Sequence, residues 1–345
     1  MVKFKKDFRE AKLYAPPEFR LEAQTIEYRF DPLTGIRSRI NVKRALRLKQ
    51  VETNVDVMGF IEKTRVNCPF CPENIERNTP LFPRDIWRNG RIRDGYYVFP
   101  NRYPFAEHHA VAVMTSKHFL ELDEFTPEMI IDNILACVKY VMRVNERHGR
   151  VRYPLWLWNH LPSAAASIIH PHTQVIVDRK PTIQQKLLLK RSREYFNKNG
   201  RCYWIDLIEA ERNGDRWIGE NRSIAAIASF APQANREIQL IFKDICSLTD
   251  IGKQEARDLA DFISLILKFY KKDGVNSFNI STFSAGIGDS LEYYRLNLRI
   301  ASRPLFKPYY TAYGGVLEIW HGECVIETLP EEVTRKIREY LNHNR

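Results

Sequence analysis

The segment 159–174, Asn-His-Leu-Pro-Ser-Ala-Ala-Ala-Ser-Ile-Ile-His-Pro-His-Thr-Gln, holds the densest chemistry in the chain. His170, His172 and Gln174 alternate with other residues, so on an extended strand all three share one face. The usual alternative is a polar row facing solvent. The following Val175-Ile176-Val177 marks a largely buried strand and weighs against it. A neutral imidazole is a good nucleophile toward phosphorus and can split one displacement into two through a phosphoramidate. Such a site needs donors around the charge that develops at phosphorus. Gln174, Ser167 and Asn159 are donors close by in sequence.

A second constellation is Asn67-Cys68-Pro69-Phe70-Cys71-Pro72. Two thiolates two residues apart can hold one tetrahedral zinc. The rival reading is a thioredoxin-like redox pair, which should follow a strand and open a helix. Pro69, Pro72 and Pro80 oppose it. A zinc knuckle needs two more ligands. Of nine histidines, His118, just after a strand at 109–114, and His170, just before the strand of His172, have the most helpful settings. Either alone would read as an ordinary satisfied histidine. Together with the knuckle they make a Cys2His2 site that would tie the Cys68 loop to the sheet.

These residues must be positioned by strands expected at 96–99, 109–114, 154–159 and 172–178. A helix from Thr126 to about Arg147 falls between the second and third, with Thr126 as N-cap and Pro127 at the first position. A helix from Thr182 to Lys198 opens on a Thr182/Gln185 capping box and ends at Asn199-Gly200. The same order recurs: strands at 225–230 and 237–243, a helix from Thr249 to Lys271, strands at 277–283 and 294–302. Leu122 and Leu248 are 126 residues apart, and so are His172 and Leu298. The pattern predicts a duplicated α+β unit in which each half is an antiparallel sheet with a helix packed on it, and in which the second half has lost the chemistry. The expected division is an extension over 1–25 with Pro16-Pro17 as a turn, a first repeat over 26–200 carrying the site, and a second over 201–345.

The chain's 345 residues suit two domains or two fused repeats, and 44% apolar with 28% charged residues is ordinary globular composition. No apolar run reaches membrane-spanning length, and Met1–Arg9 lacks a signal-peptide core, so a cytoplasmic location is expected. Six scattered cysteines do not form a disulfide framework; Cys137, Cys202, Cys246 and Cys324 read as reduced thiols. A net charge of +11 favours anionic partners such as nucleotides, sugar phosphates or nucleic acid, although a lysine-rich solvated surface would give the same figure.

The motif H-P-H-x-Q preceded by N-x7-S resembles the active-site segment of the galactose-1-phosphate uridylyltransferase family, in the histidine-triad superfamily. The resemblance runs from about Arg29 to Glu327. Arg29-Phe30-Asp31-Pro32-Leu33-Thr34-Gly35 is similar to that family's opening strand. Arg44-Ala45-Leu46-Arg47 resembles its phosphate-contacting R-x-x-R, Asn101-Arg102-Tyr103-Pro104 its nucleotide-site N-x-[FY]-P, and Thr115-Ser116-Lys117-His118 its S-P-x-H. The resemblance implies a fold of two fused histidine-triad repeats, zinc on Cys68, Cys71, His118 and His170, and His172 as nucleophile. It implies that Gln174, Ser167, Asn159 and Asn101 hold the phosphate and nucleotide, with Arg44 and Arg47 on the phosphates. Gln174 points to a transferase, because histidine-triad hydrolases usually carry a third histidine there.

The implied activity is ping-pong nucleotidyl transfer in sugar metabolism: UDP-glucose leaves uridylyl-His172, and galactose 1-phosphate takes the UMP. With inorganic phosphate as acceptor the same intermediate gives a nucleotide-sugar or dinucleotide phosphorylase. A nucleotide- or nucleic-acid-binding module with a degenerate site is the third reading, and the intact His172–Gln174 pair argues against it. Relatives are homodimers in which the partner's C-terminal segment completes the sugar site, so a homodimer is expected. The chain also departs from the family. Leu161-Pro162-Ser163-Ala164-Ala165 replaces a glycine-bearing loop, and Arg102 stands where an acidic residue often meets the ribose. Leu296 and Leu298 stand where some members bind a second metal, so one metal is expected. Gly314-Gly315-Val316-Leu317-Glu318 loosely matches the hexose-binding segment and makes Glu318 the sugar-contact candidate.

Overall fold

The computed structural model describes residues 2–47, 56–93, 97–307, 310 and 312–343. Tyr96, where a strand is expected to begin, and the terminal residues 1, 344 and 345 lie outside them. Three strands come first: β1 (Lys5–Ala15), β2 (Arg20–Phe30) and β3 (Arg37–Ile40). Helices α1 (Val57–Arg65) and α2 (Pro72–Asn78) flank the cysteine knuckle. The first repeat is β4 (Tyr97–Pro100), β5 (His108–Val113), α3 (Pro127–Arg147), β6 (Tyr153–His160) and β7 (His172–Asp178). A connection of α4 (Ile183–Asn199), α5 (Tyr203–Glu211) and β8 (Trp217–Glu220) leads to the second. That repeat is β9 (Ile224–Ala228), β10 (Ile238–Phe242), α6 (Lys253–Lys272), β11 (Phe278–Phe283) and β12 (Asn297–Ser302). Helix α7 (Val316–Trp320), strand β13 (Cys324–Ile326) and helix α8 (Pro330–His343) close the chain.

The repeat is visible in the topology. One nine-stranded sheet has the order β4-β5-β7-β6-β11-β12-β10-β9-β8. Its two four-strand halves are related by an approximate two-fold between β6 and β11, which pair antiparallel with Asn159 opposite Asn279. The expected half-sheets are therefore fused edge to edge, which leaves neither β6 nor β11 as an open edge. Within the expected extension, residues 5–25 form most of a long antiparallel hairpin, β1 on β2, that turns at Pro16–Phe19. The hairpin belongs to a second sheet ordered β1-β2-β3-β13. Its strands alternate too weakly in polarity to stand out in sequence, because most of β1 is exposed on both faces. The helix expected from Thr249 starts at Lys253, after a separate 3-10 turn at Leu248–Asp250.

Strand period decides which face carries chemistry. Trp156, Trp158, Val175, Val177, Leu298 and Ile300 point into one core with Ile130, Ile134 and Val141 of α3 and Leu259, Ile263 and Leu267 of α6. Asn133 of α3 reaches into this layer, accepting from Thr173 Oγ1 at 2.6 Å and donating to the Ala112 carbonyl at 3.1 Å. Residues of opposite parity, including His172, Gln174, Asn159 and Asn279, fall on the face without these helices.

Candidate active site

Strand β5 ends at Val113, opposite His172 at the head of β7. The segments beyond these ends bring His118 and His170 to the knuckle. The ligand atoms of Cys68, Cys71, His118 and His170 all lie within 4.8 Å of one another, and all four residues are buried. Cys71 Sγ is 3.4 Å from His118 Nδ1 and 3.6 Å from His170 Nδ1; Cys68 Sγ is 3.8 Å from His170 Nδ1. Bonds of about 2.0–2.3 Å in a tetrahedron place ligand atoms about 3.3–3.8 Å apart, so the set fits one zinc-sized ion. The outer nitrogens agree. His170 Nε2–H donates to the Thr115 carbonyl at 2.8 Å, and His118 Nε2–H can donate to the Ile61 carbonyl at 3.2 Å. Both rings thus turn a bare Nδ1 toward the thiols, as metal-bound histidines do. An ion held by all four would have its tetrahedron closed by protein atoms, the arrangement of a structural rather than a catalytic metal.

The knuckle also reaches β7, the strand of His172. Cys68, Phe70, Cys71 and Ile75 pack with Phe99 of β4 and Val111 and Val113 of β5 in a small apolar cluster. The Phe70 and His172 rings meet in a T-shaped contact, with centroids 5.2 Å apart. His172 Nδ1–H donates to the His170 carbonyl at 2.8 Å. A carbonyl can only accept, so the proton sits on Nδ1 and the Nε2 lone pair is available to a substrate. Burial pushes His172 down from its ordinary range and His170 down to about 4, so both rings stay neutral.

The flanking amides are also oriented. Gln174 Oε1 accepts from His109 Nε2–H at 2.7 Å and from Asn101 Nδ2 at 3.3 Å. Phe105 N–H donates to His109 Nδ1 at 3.4 Å, which leaves the proton on Nε2. The Gln174 amide nitrogen is therefore the end left for a ligand oxygen. A neutral nucleophile, a fixed tautomer and amide donors beside it are what attack on a phosphodiester-like phosphorus requires.

No family model matches the chain. An uncharacterized protein of Archaeoglobus fulgidus is 30% identical over 343 residues, 98% of both chains. The ADP-glucose phosphorylase of Arabidopsis thaliana is 28% identical over 240 residues, 67% of this chain and 64% of that protein. Among solved structures, an Arabidopsis thaliana ADP-glucose phosphorylase with bound ADP-glucose superposes with a TM-score of 0.73 at 22% identity, covering 92% of this chain and 99% of that one. A uridylyltransferase gives 0.67 at 22% identity, covering 92% and 98%. The fold is that of the galactose-1-phosphate uridylyltransferase-like proteins, and the similarities fit that family.

Against the family pattern, the loop after Asn159 keeps a glycine-like course without glycines. Leu161 has φ 70° and ψ 159°, and Ala165 has φ 68° and ψ 22°. Positive φ costs a side chain about 1–2 kcal/mol. Burial of Leu161 with Ile61, Ile169 and Phe306 offsets the strain at that end. Ser167 follows the loop and is exposed, Asn159 is half-buried on β6, and Leu296 and Leu298 lie in the apolar core. Of the three residues that the family pattern ties to phosphate and sugar, Arg47 and Glu318 meet partners within the chain. Arg44 is exposed on a 3-10 turn at Val42–Leu46, and Arg47 pairs with Glu327. Both Glu318 carboxylate oxygens accept from their own segment, Oε2 from Gly315 N–H at 2.9 Å and Oε1 from Val325 N–H at 3.1 Å.

Sequence reasoning missed His109 and Asn279. Asn279 Nδ2 donates to Asn159 Oδ1 at 2.7 Å and to the Ala164 carbonyl at 2.9 Å. The available signal was parity: each interrupts a strand whose same-face neighbours are apolar or small.

Proposed function

We propose that the protein moves a nucleoside monophosphate from a nucleotide sugar to a phosphate acceptor through a covalent nucleotidyl-His172, and that the preferred acceptor is inorganic phosphate. The observation that carries the reading is the 2.8 Å bond from His172 Nδ1–H to the His170 carbonyl, beside a Gln174 turned amide-nitrogen outward. His172 Nε2 attacks the α-phosphorus of the nucleotide sugar. The P–N bond forms as the bond to the bridging oxygen breaks, and the sugar 1-phosphate leaves. An oxygen of the incoming phosphate then attacks the same phosphorus, the P–N bond breaks, and a nucleoside diphosphate departs while the imidazole returns neutral. Gln174, with Asn159, Asn101 and Ser167, donates to the phosphoryl oxygens as charge builds on them.

Two observations favour phosphate over a hexose 1-phosphate. The characterized relative aligned in sequence is an ADP-glucose phosphorylase, and Glu318, the candidate sugar contact, is occupied by backbone N–H groups. We assign the Cys68, Cys71, His118 and His170 site to zinc. Bound there, it would lock the knuckle and thereby Phe70 against His172. The functional unit we propose is a homodimer, with residues 314–318 of one copy near His172 of the other; an active monomer by light scattering would refute that part.

The test is to mix the protein separately with ADP-glucose and UDP-glucose labelled at the α-phosphorus. Retained label should be acid-labile and base-stable, absent from His172→Gly, and released as the diphosphate by phosphate. Release by galactose 1-phosphate alone would favour the uridylyltransferase reaction. Label kept by His172→Gly would end the proposed mechanism.

A further inference from the structure

The second repeat carries no histidine on the matching strand: Leu298, 126 residues after His172, points into the core under α3 and α6 rather than onto the face of His172, and the residues of β12 that share that face are Asn297 and Arg299. Its β11 nevertheless borders the site, because β11 pairs with β6 and sets Asn279 directly opposite Asn159. Both side chains fall on the face that carries His172 and Gln174.

We propose that Asn279 is a positioning residue, which fixes the polarity of the Asn159 amide and so makes the second repeat part of the transfer site. The inference rests on the reading of Asn159 as a phosphate donor. Asn279 Nδ2 carries two hydrogens, and both are used: one on the Ala164 carbonyl at 2.9 Å, the other on Asn159 Oδ1 at 2.7 Å. The Ala164 carbonyl can only accept, so the end of Asn279 that faces it must be the nitrogen. The atom of Asn159 facing that same nitrogen must then be its oxygen. The amide nitrogen of Asn159 is thereby the end left over, and it can donate to a phosphoryl oxygen. Reversing Asn159 would put two N–H groups against each other and a carbonyl oxygen against the phosphate.

The same two bonds tie the Asn159 side chain to the loop at Ala164, between Leu161 and Ala165 at positive φ. That loop carries no glycine at those two positions, so its course is held by contacts rather than by backbone permissiveness. Three polar groups near the proposed reaction centre are in this way referred to a backbone atom. His172 is set by the His170 carbonyl, Gln174 through His109 by the Phe105 N–H, and Asn159 through Asn279 by the Ala164 carbonyl. In an amide-lined site this matters more than the presence of the amides, because a randomly flipped amide presents an acceptor to an anion half the time.

A double-mutant cycle tests the assignment. Asn279→Ala, Asn159→Ala and the double variant are compared with the full-length wild type for the rate of His172 labelling by α-labelled ADP-glucose or UDP-glucose. The dissociation constants for AMP and UMP are measured in parallel by calorimetry, with zinc content and melting temperature as controls. Losing one oriented donor to a charged oxygen is expected to cost about ten- to a hundredfold. Asn279→Ala should fall in that range, and Asn159→Ala at least as far. The double variant should be no worse than Asn159→Ala alone, because Asn279 acts through Asn159. A merely structural Asn279 would give losses that multiply, and that result overturns the proposal, as would full activity and AMP affinity in Asn279→Ala. If the wild type takes label from neither nucleotide sugar, the transfer reading falls, while the AMP cycle still decides on Asn279. A wild type that takes label from neither nucleotide sugar and binds neither AMP nor UMP would refute both.

Discussion

Replacing Cys71 by serine should release the metal and, through Phe70, disturb a residue that never touches the ion. Cys71 Sγ is the hub of the site, 3.4 Å from His118 Nδ1 and 3.6 Å from His170 Nδ1. Structural zinc sites of four such ligands are worth about 10–16 kcal/mol at neutral pH, or about 3–4 kcal/mol per ligand. At about 1.4 kcal/mol per tenfold, loss of one thiolate should weaken binding by two to three orders of magnitude. The knuckle cluster of Cys68, Phe70, Cys71 and Ile75 is separate from the large core under α3 and α6, so its release should be local. The variant should stay folded by circular dichroism, with a melting temperature lowered by several degrees. It should lose zinc to a chelator at concentrations that leave the wild type loaded, as read by a colorimetric zinc indicator. His172 labelling should fall roughly tenfold, because the Phe70 ring, whose centroid lies 5.2 Å from that of His172, no longer holds the imidazole. A Cys71→Ser protein that retains stoichiometric zinc under the same chelator would refute the ligand set. One that loses zinc yet labels at the wild-type rate would refute the coupling through Phe70.

Three further outcomes follow from the same geometry. His172→Gly should lose at least about a thousandfold in turnover with its zinc content intact, since the ring contributes its Nε2 lone pair and no metal bond; metal analysis beside the kinetics checks both halves. His109→Ala removes the 2.7 Å donor to Gln174 Oε1 and frees that amide to turn, so kcat/KM should fall about tenfold at unchanged zinc content. Stability should also titrate in acid through Glu331. Burial raises its carboxyl, but hydrogen bonds and charge from Arg29, reinforced by Arg216, override this and hold it down to about 2. A carboxyl lower in the folded than in the unfolded chain stabilises above about pH 4.5, and that contribution is lost as pH falls toward 2. The amount is roughly 2 kcal/mol once solvent screening is allowed for. Urea unfolding between pH 7 and 3 should show it in the wild type and not in Glu331→Gln.

Much of this protein was legible in its residues because the signals are local. The Cys68–Cys71 spacing predicts a metal knuckle, and thiolate geometry allows little else beside three prolines. The alternation of His170, His172 and Gln174 puts them on one strand face whatever the rest of the fold does. Thr126-Pro127 and Thr182 with Gly200 mark helix ends that the structure reproduces, since caps depend on neighbours in sequence. The recurring order of strands and helix predicted the duplication without knowledge of packing, but the 126-residue offset holds for Leu122 and Leu248, both in the core, and not for His172 and Leu298, which face opposite sides of the sheet. Tertiary structure alone decided what depends on pairing across long separations. In residues 1–25 only the turn at Pro16-Pro17 is legible, because β1 is exposed on both faces and its polarity does not alternate. Nothing local says that β6 pairs with β11, and without that pairing Asn279 and Asn159, 120 residues apart, have no relation. His109 reaches Gln174 only because β5 and β7 are neighbours. Residue types specify which groups can donate, accept or attack, while the direction in which an amide or imidazole faces is set by partners that only the folded chain brings within 3 Å.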